Sequence, residues 1–178
     1  MEFSGYNFAM QPLRIINTGG TFNKRYDPIA GELVVPADDR AVESALASMR
    51  PNLDPVVSGA IYKDSLQMDD ADRALLCGIV ADVTERCIVI VHGTDTMDAS
   101  AEALARWLGN ESPKRVVLTG AMVPFSIDPV EATANLTLAV TAAGYLDPGV
   151  YVAMHGLVLP YARIRKNRET GRFEEVKG

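Results

Sequence analysis

The alternation of apolar runs with helical patterns constrains the fold of this chain more than any other feature. The predicted strands of the main sheet cover 13–17, 56–62, 87–91, 115–118 and 150–154, and 156–159 is a hairpin partner of the last. Helical patterns lie between them, over about 38–49, 69–83, 99–108 and 129–144. Strands that alternate with helices form parallel sheets, because each crossover returns the chain to the same edge. The sequence therefore predicts an α/β fold, a doubly wound, mostly parallel sheet with helices on both faces.

Small polar residues follow several of these strands. Asn17-Thr18-Gly19-Gly20-Thr21 ends the first strand, His92-Gly93-Thr94-Asp95 follows the third, and Thr119-Gly120-Ala121 follows the fourth. Ligands of open α/β sheets bind at the carboxyl ends of the strands. Glycine also allows a ligand or another backbone to approach closely. We therefore expect the three segments to line one pocket.

The segment 22–36 is polar and rich in turn residues. It is too long for a tight turn, and loops of this length without regular structure are often lids. Its return leg, 33–35, is a candidate for a short strand. Residues 1–12 are expected to form a lead-in, residues 13–178 a single domain, and the residues from 163 onward a charged tail.

Composition excludes several classes of function. Seventeen basic and twenty-three acidic residues give a net charge of −6, and no basic patch precedes the last fifteen residues, which argues against a nucleic-acid partner. Only two histidines and two isolated cysteines are present, so neither a metal site nor a disulfide is expected. No apolar run reaches the length of a membrane span, and the first twelve residues do not look like a signal peptide. A cytoplasmic protein without a membrane partner is predicted.

Thr21 and Tyr26 are the candidate catalytic residues near the first strand. The Thr21 hydroxyl needs a base or a strong local field to act as a nucleophile. Tyr26, on a lid, is placed to accept its proton. The alternatives are that Thr21 closes a turn and that Tyr26 packs the lid.

Four polar residues follow the second and third strands. Thr94 and Asp95 form a hydroxyl–carboxylate pair that could share a proton network or hold an ammonium group, or cap the following helix. Ser65 could bind a carboxylate while Asp64 orients its loop, although an ordinary Asx-turn also explains the pair. Lys166, in the basic tail, carries no signal alone. Together with Thr21 and Tyr26, these residue types suit acyl transfer.

Several segments resemble the asparaginase–glutaminase family. Thr18–Phe22 resembles its first signature, and His92–Met97 resembles its longer second signature. Asp64–Met68 and Thr119–Pro124 match further family blocks in the right order, so the resemblance covers about 13–172. It implies hydrolysis of L-asparagine to L-aspartate and ammonia, with no cofactor.

The resemblance also implies roles for individual residues. Thr21 is similar to the family's first threonine nucleophile, and Tyr26 to its lid tyrosine. Thr94, Asp95 and Lys166 are similar to the group that activates a nucleophile or water. Which threonine forms the acyl-enzyme, or whether water attacks directly, stays open.

Substrate binding follows from the same resemblance. Ser65 would hold the α-carboxylate of the substrate and Asp95 its α-ammonium. Backbone N–H groups near Gly20 and at Thr94 would hold the oxyanion. The candidate binding site also includes Asp64, Gly93 and Ala121.

The chain departs from the family pattern in two ways. Family members have a C-terminal domain, and a neighbouring subunit's copy of that domain helps to close the pocket, whereas this sequence ends at Gly178. Leu66 stands where a polar substrate contact often lies. Weak affinity for asparagine is therefore predicted, in a homodimer or homotetramer. Two alternatives are a non-catalytic amino-acid-binding domain and a component of an amidotransferase.

Overall fold

The computed structural model describes residues 12–49 and 54–176, so most of the expected lead-in lies outside the described residues. The strands are β1 Leu13–Gly19, β2 Arg25–Asp27, β3 Glu32–Val34, β4 Val56–Lys63, β5 Cys87–Val91, β6 Arg115–Thr119, β7 Gly149–Met154, β8 Leu157–Pro160, β9 Ile164–Asn167 and β10 Arg172–Glu175. The α-helices are α1 Gly20–Asn23, α2 Arg40–Leu46, α3 Asp70–Asp82, α4 Met97–Leu108 and α5 Pro129–Tyr145. Short 3-10 helices cover Ala47–Met49, Ser65–Gln67 and Tyr161–Arg163.

Six strands form the main sheet, in the order β4-β1-β5-β6-β7-β8. The first five run parallel, and β8 pairs antiparallel with β7, as predicted for the hairpin. The chain leaves β1 toward β4 on one side and leaves β5 toward β6 on the other. The carboxyl ends of β1 and β5 therefore flank the point where the direction of winding reverses, which is the usual ligand crevice of such sheets.

The sheet buries an apolar layer on each face, because side chains alternate across a strand. Ile15 of β1 belongs to the layer that α2 and α5 cover, and the next residue, Ile16, to the layer beneath α3 and α4. All of β5 is buried, which explains its continuous apolar run. The predicted α/β fold with helices on both faces is confirmed. Cys87 and Cys77 are buried free thiols in opposite layers.

The expected irregular lid is instead an antiparallel hairpin of β2 and β3. Asp27 ends β2, and its carboxylate accepts hydrogen bonds from the backbone N–H groups of Ile29 and Ala30. Gly31 then takes a left-handed φ of 72° and donates its N–H to the Asp27 carbonyl. The candidate strand at 33–35 is present as β3, one residue earlier, whereas β2 and the hairpin were missed because the Asp–Gly turn chemistry between the two strands was overlooked.

The charged tail also differs from its prediction, since β9 and β10 form a second hairpin. Asn167 accepts hydrogen bonds from the N–H groups of Glu169 and Thr170 in the turn, and Gly171 has a φ of 67°. Ile164 and Phe173 are buried against the main domain. These two apolar side chains hold a charged segment in a fixed place. No helix among the described residues is long and apolar enough to cross a membrane.

Candidate functional site

Close backbone contacts join the loops that follow β1, β4, β5 and β6. A Cβ atom on Gly20 would lie 2.4 Å from the N and Cα atoms of Gly93. A Cβ on Gly93 would lie 2.6 Å from the Ser65 Oγ, and one on Gly120 would lie 2.3 Å from the His92 carbonyl oxygen. Real Cβ atoms do not approach other atoms so closely. Glycine at these positions therefore lets the loops interlock at the carboxyl edge of the sheet.

Lys166 joins two of the predicted site residues. Its Nζ donates to the Thr94 Oγ1 at 2.9 Å and to the Asp95 Oδ1 at 2.8 Å. The Lys166 side chain is only 13% exposed, and Thr94 is buried. An ammonium group at this distance favours the deprotonated form of a hydroxyl. The geometry is that of a polarised threonine with an aspartate that balances the lysine charge.

Ser65 is tied to the same loop from the β4 side. Its Oγ accepts a hydrogen bond from the Asp95 N–H at 3.3 Å, and the Thr96 Oγ1 donates to its carbonyl at 2.8 Å. Thr96, not Thr94 or Asp95, is the N-cap of α4, so the helix-cap alternative for that pair is wrong. Asp64 does make the Asx-type contact, because it accepts from the Leu66 N–H at 3.0 Å.

Asp64 is the acidic residue that links the first two loops. Its carboxylate lies 2.5 Å from the Lys24 Nζ. Partial burial opposes its ionisation most strongly, but the Lys24 contact, the Leu66 N–H and the charge of Lys166 together lower the pKa of Asp64. Asp64 is therefore held as an anion near the candidate site.

The Thr21 side of the site is more open. Thr21 lies in the four-residue helix α1, and its carbonyl accepts from the Lys24 N–H, so it does help to close a turn. Across 12–49 and 54–176, the Thr21 hydroxyl has no hydrogen-bond partner. Tyr26 of β2 is 63% exposed. The structure brings the loops after β1 and β5 together through Gly20 and Gly93. The Thr21 and Tyr26 side chains remain partly or largely exposed to solvent.

A cavity of about 190 Å³ borders Thr94, Asp95 and Lys166 and continues toward Arg168 and Phe173. Neither Thr21 nor Ala121 lines it. Ala121 is completely buried in the core layer beneath α5. The backbones of the three strand ends interlock, but of the three only the segment after β5 lines this cavity, together with the β9–β10 hairpin, so a pocket shared by all three stays a prediction.

His92 underlies the Thr94 loop. It is fully buried, and its Nδ1 lies 2.7 Å from the Gly93 carbonyl oxygen. Burial, with a smaller contribution from the charge of Arg73, lowers its pKa to about 4. The imidazole is therefore neutral at neutral pH, and its Nδ1 donates to that carbonyl. Within the described part of the chain, no three His, Cys, Asp or Glu side chains gather as a metal site.

Sequence reasoning missed three polar residues beside the site. Glu131 accepts hydrogen bonds from the backbone N–H groups of Met122 and Val123, at 2.9 and 3.0 Å. Asn135 donates to the Gly120 carbonyl, and His155 contacts Glu131. The acidic residue in the first turn of a helix that begins with Pro129 was an available signal for Glu131. Nothing local to the sequence indicated His155.

The fold and the site together define an α/β domain with a polar candidate site at the carboxyl edge of its sheet. This follows from a lysine-held threonine and an aspartate at the reversal point of a mostly parallel sheet. The chain belongs to the asparaginase family, since the model of the asparaginase N-terminal domain matches residues 12–175.

Known proteins with similar sequences fall into two groups. The chain is 29% identical over 161 residues to an L-asparaginase of Thermococcus kodakarensis, a match that covers 89% of this chain and 48% of that protein. It is 32% identical over 154 residues to a subunit of the glutamyl-tRNA(Gln) amidotransferase of Methanococcus maripaludis, covering 84% of this chain and 36% of that one.

Solved structures show the same fold. A thermostable L-asparaginase from Thermococcus kodakarensis superposes with a TM-score of 0.82 at 27% identity, over 93% of this chain and 51% of that one. A probable cytoplasmic L-asparaginase from Campylobacter jejuni superposes with a TM-score of 0.74 at 26% identity, over 93% and 53%. The chain thus spans about half, or less, of the length of these relatives.

Proposed function

We propose that this chain hydrolyses L-asparagine to L-aspartate and ammonia by a threonine-based mechanism. The observation that carries the proposal is the contact of Lys166 with both Thr94 and Asp95. Family membership and the L-asparaginase relatives support this substrate class. The proposal assigns the whole of 13–178 to one catalytic domain.

The proposed reaction uses the two threonines in sequence. Once the β2–β3 hairpin closes, the Thr21 hydroxyl attacks the amide carbonyl, and its proton passes to the Tyr26 phenol oxygen as the Tyr26 O–H proton moves on to the leaving nitrogen. Backbone N–H groups near Gly20 and at Thr94 hold the oxyanion, and the leaving nitrogen takes up a proton and departs as ammonia. The Thr94–Lys166 pair then activates a water molecule, which hydrolyses the ester on Thr21 and releases aspartate.

The proposed binding mode places a carboxylate at the ammonium end of the substrate and neutral hydrogen-bond donors at its carboxylate end. Asp95 holds the α-ammonium, and Ser65, with Asp64 and Gly93 beside it, holds the α-carboxylate. Ala121 is completely buried, so we assign it a supporting place in the core beneath the site, without direct contact with the substrate. The exposed Leu66 provides no polar contact there, so weak affinity is proposed. We further propose a cytoplasmic homodimer or homotetramer, without a cofactor.

A second candidate function is release of ammonia inside an amidotransferase. The similarity to a component of the glutamyl-tRNA(Gln) amidotransferase favours it. The same site chemistry would operate, but the ammonia would pass to a partner. A non-catalytic amino-acid-binding domain is the third candidate.

Ammonia release separates these candidates. We would measure it from L-asparagine up to about 50 mM, well above the usual KM range of about 1 μM to 1 mM. Wild type, Thr21→Ala and Thr94→Ala would be compared with Thr141→Ala, an exposed threonine of α5. The proposal expects saturable release by wild type and the control, and a loss of about 1,000-fold or more in the two site variants.

Other outcomes identify the alternatives. Full activity in either site variant would contradict the role proposed for that threonine. Saturable binding of asparagine without ammonia release, by a folded wild-type chain, would indicate a binding domain. Release that begins only when an amidotransferase partner is added would favour the second candidate.

A further inference from the structure

The hairpin that carries Lys166 is not part of the main sheet. Within 12–49 and 54–176, β9 and β10 pair only with each other, and Phe173 of β10 lies opposite Lys166. A side chain on such an element keeps a fixed position only if contacts tie the element to the main domain. The position of Lys166 relative to Thr94 therefore depends on those contacts.

His155, in the turn between β7 and β8, makes one of these contacts. Its Nδ1 lies 3.4 Å from the backbone N of Phe173, and its ring meets the Phe173 ring edge-on, with centroids 5.9 Å apart. Because a backbone N–H can only donate, Nδ1 is the acceptor. The ring proton of the neutral imidazole is therefore on Nε2, which lies 3.1 Å from the Glu131 Oε1.

Glu131 and Asn135 of α5 form hydrogen bonds with His155. Glu131 also accepts from the N–H groups of Met122 and Val123, which follow β6. Asn135 accepts from the His155 N–H at 3.1 Å and donates to the Gly120 carbonyl at 3.0 Å. These bonds hold His155 at a φ of 52°, a left-handed value that is unfavourable for a histidine without support.

We propose that His155 is a positioning residue that sets Lys166 against Thr94. The network runs from the loop after β6, through Glu131 and His155, to the backbone of the residue opposite Lys166. Displacement of a catalytic group by about 1 Å lowers turnover strongly. The expected effect of His155 on catalysis rests on the proposed function. Its expected effect on the position of the β9–β10 hairpin does not.

Other contacts keep the hairpin folded when His155 changes. Ile164 and Phe173 are buried, the Val176 N–H donates to the Arg163 carbonyl, and Arg165 pairs with Asp98 at 2.9 Å. Loss of the His155 contacts is therefore expected to shift the hairpin locally. It is not expected to unfold the domain.

The test compares His155→Leu with His155→Gln. Glutamine keeps one hydrogen-bond donor and one acceptor at similar reach, whereas leucine has similar bulk but no hydrogen-bonding group. The left-handed φ at this position costs the two variants the same. In the leucine variant we expect kcat to fall about tenfold with KM nearly unchanged, as for other residues that orient a reacting group. Most of the activity should return in the glutamine variant.

A double-mutant cycle distinguishes positioning from general destabilisation. If His155 acts through Lys166, adding His155→Leu to Lys166→Met lowers the residual kcat no further. Full additivity of the two losses would overturn the proposal. Equal kcat losses in the leucine and glutamine variants, or wild-type kcat in the leucine variant, would also overturn it.

Hydrogen exchange at the Phe173 amide tests the contact without any turnover. The amide should exchange about tenfold faster in His155→Leu than in wild type or His155→Gln, while amides of β5 stay protected. Unchanged exchange in the leucine variant would contradict the inference. If wild type releases no ammonia, the proposed function fails, and this measurement still decides whether His155 holds the hairpin.

Discussion

The two threonines of the candidate site lie in very different surroundings. Thr94 is 4% exposed, and its hydroxyl is held by a lysine that an aspartate also binds. Thr21 is partly exposed, and its hydroxyl has no hydrogen-bond partner in the described ranges 12–49 and 54–176. The Thr94 side is therefore preorganised, whereas no hydrogen bond within these ranges orients the hydroxyl on the Thr21 side.

The difference follows from the elements that carry each side. Thr94 follows β5, which is central in the sheet and completely buried. Thr21 lies in a helix of four residues that leads into a two-stranded hairpin with an exposed Tyr26. The helix is anchored by the buried Phe22, but neither β2 nor β3 has a buried residue, so the hairpin has little to hold it rigid. The proposed motion thus falls on the Thr21 side of the crevice, and the preorganised lysine–threonine contact on the other side.

The largest expected effect is on the preorganised side. Lys166→Met removes the positive charge from the Thr94 hydroxyl and leaves Asp95 without its partner, so we expect ammonia release to fall about 1,000-fold. Steady-state kinetics on L-asparagine measures this change. A kcat within tenfold of wild type would show that Thr94 needs no lysine. The preorganisation of the Thr94 side would then have no role in catalysis.

The contact between the two sides is the next target. Gly20→Ala places a Cβ 2.4 Å from the Gly93 backbone at a φ of 67°, and we expect the free energy of unfolding to fall by about 3 kcal/mol or more. Gly109→Ala is the matched control, with a φ of 65° and open space around the added atom. It should cost only about 1 kcal/mol. Urea denaturation gives both values, and equal losses would disprove the close packing of the loops.

Acid should destabilise the Thr94 side through His92. Its pKa is about 4 in the folded protein and about 6.5 in an unfolded chain, so between these pH values only the unfolded state takes up the proton. We expect this residue to lower the free energy of unfolding by up to about 3 kcal/mol as the pH falls from 6.5 to 4. Urea denaturation of wild type and His92→Gln across this range measures it. Parallel curves for the two proteins would contradict the expectation.

The smallest effect is expected on the open side. Lys24→Met removes the ion pair between Lys24 and Asp64. Because each of these two side chains is about one-quarter exposed, the change should lower the free energy of unfolding by about 1 kcal/mol or less. The pKa of Asp64 should rise, which a carboxyl titration by NMR would detect. Arg106→Met, which removes a more exposed pair with Glu102, is the control and should change stability very little. A loss of several kcal/mol from Lys24→Met would show that the open side is as rigid as the other.

The sequence alone determined the sheet and most of the candidate residues. Period and composition give the strands, because a run such as Cys87–Val91 suits only a strand buried on both faces. Small polar residues at strand ends mark the functional edge, since parallel strands place those ends together. The turns were harder to predict: only the return strand of the hairpin in 25–34 was expected, and the hairpin in 164–175 was missed, because each depends on a few Asp, Asn and Gly contacts.

Only the tertiary structure decided how these residues meet. Lys166 lies 72 positions after Thr94, and no local pattern encodes a contact over that separation. The contacts of His155 with Glu131 and Phe173 exist only because the turn after β7 packs against α5 and the second hairpin. Ala121 proved to be core rather than surface. Local propensities act over a few residues, whereas these contacts depend on how the sheet, its helices and the last hairpin pack together.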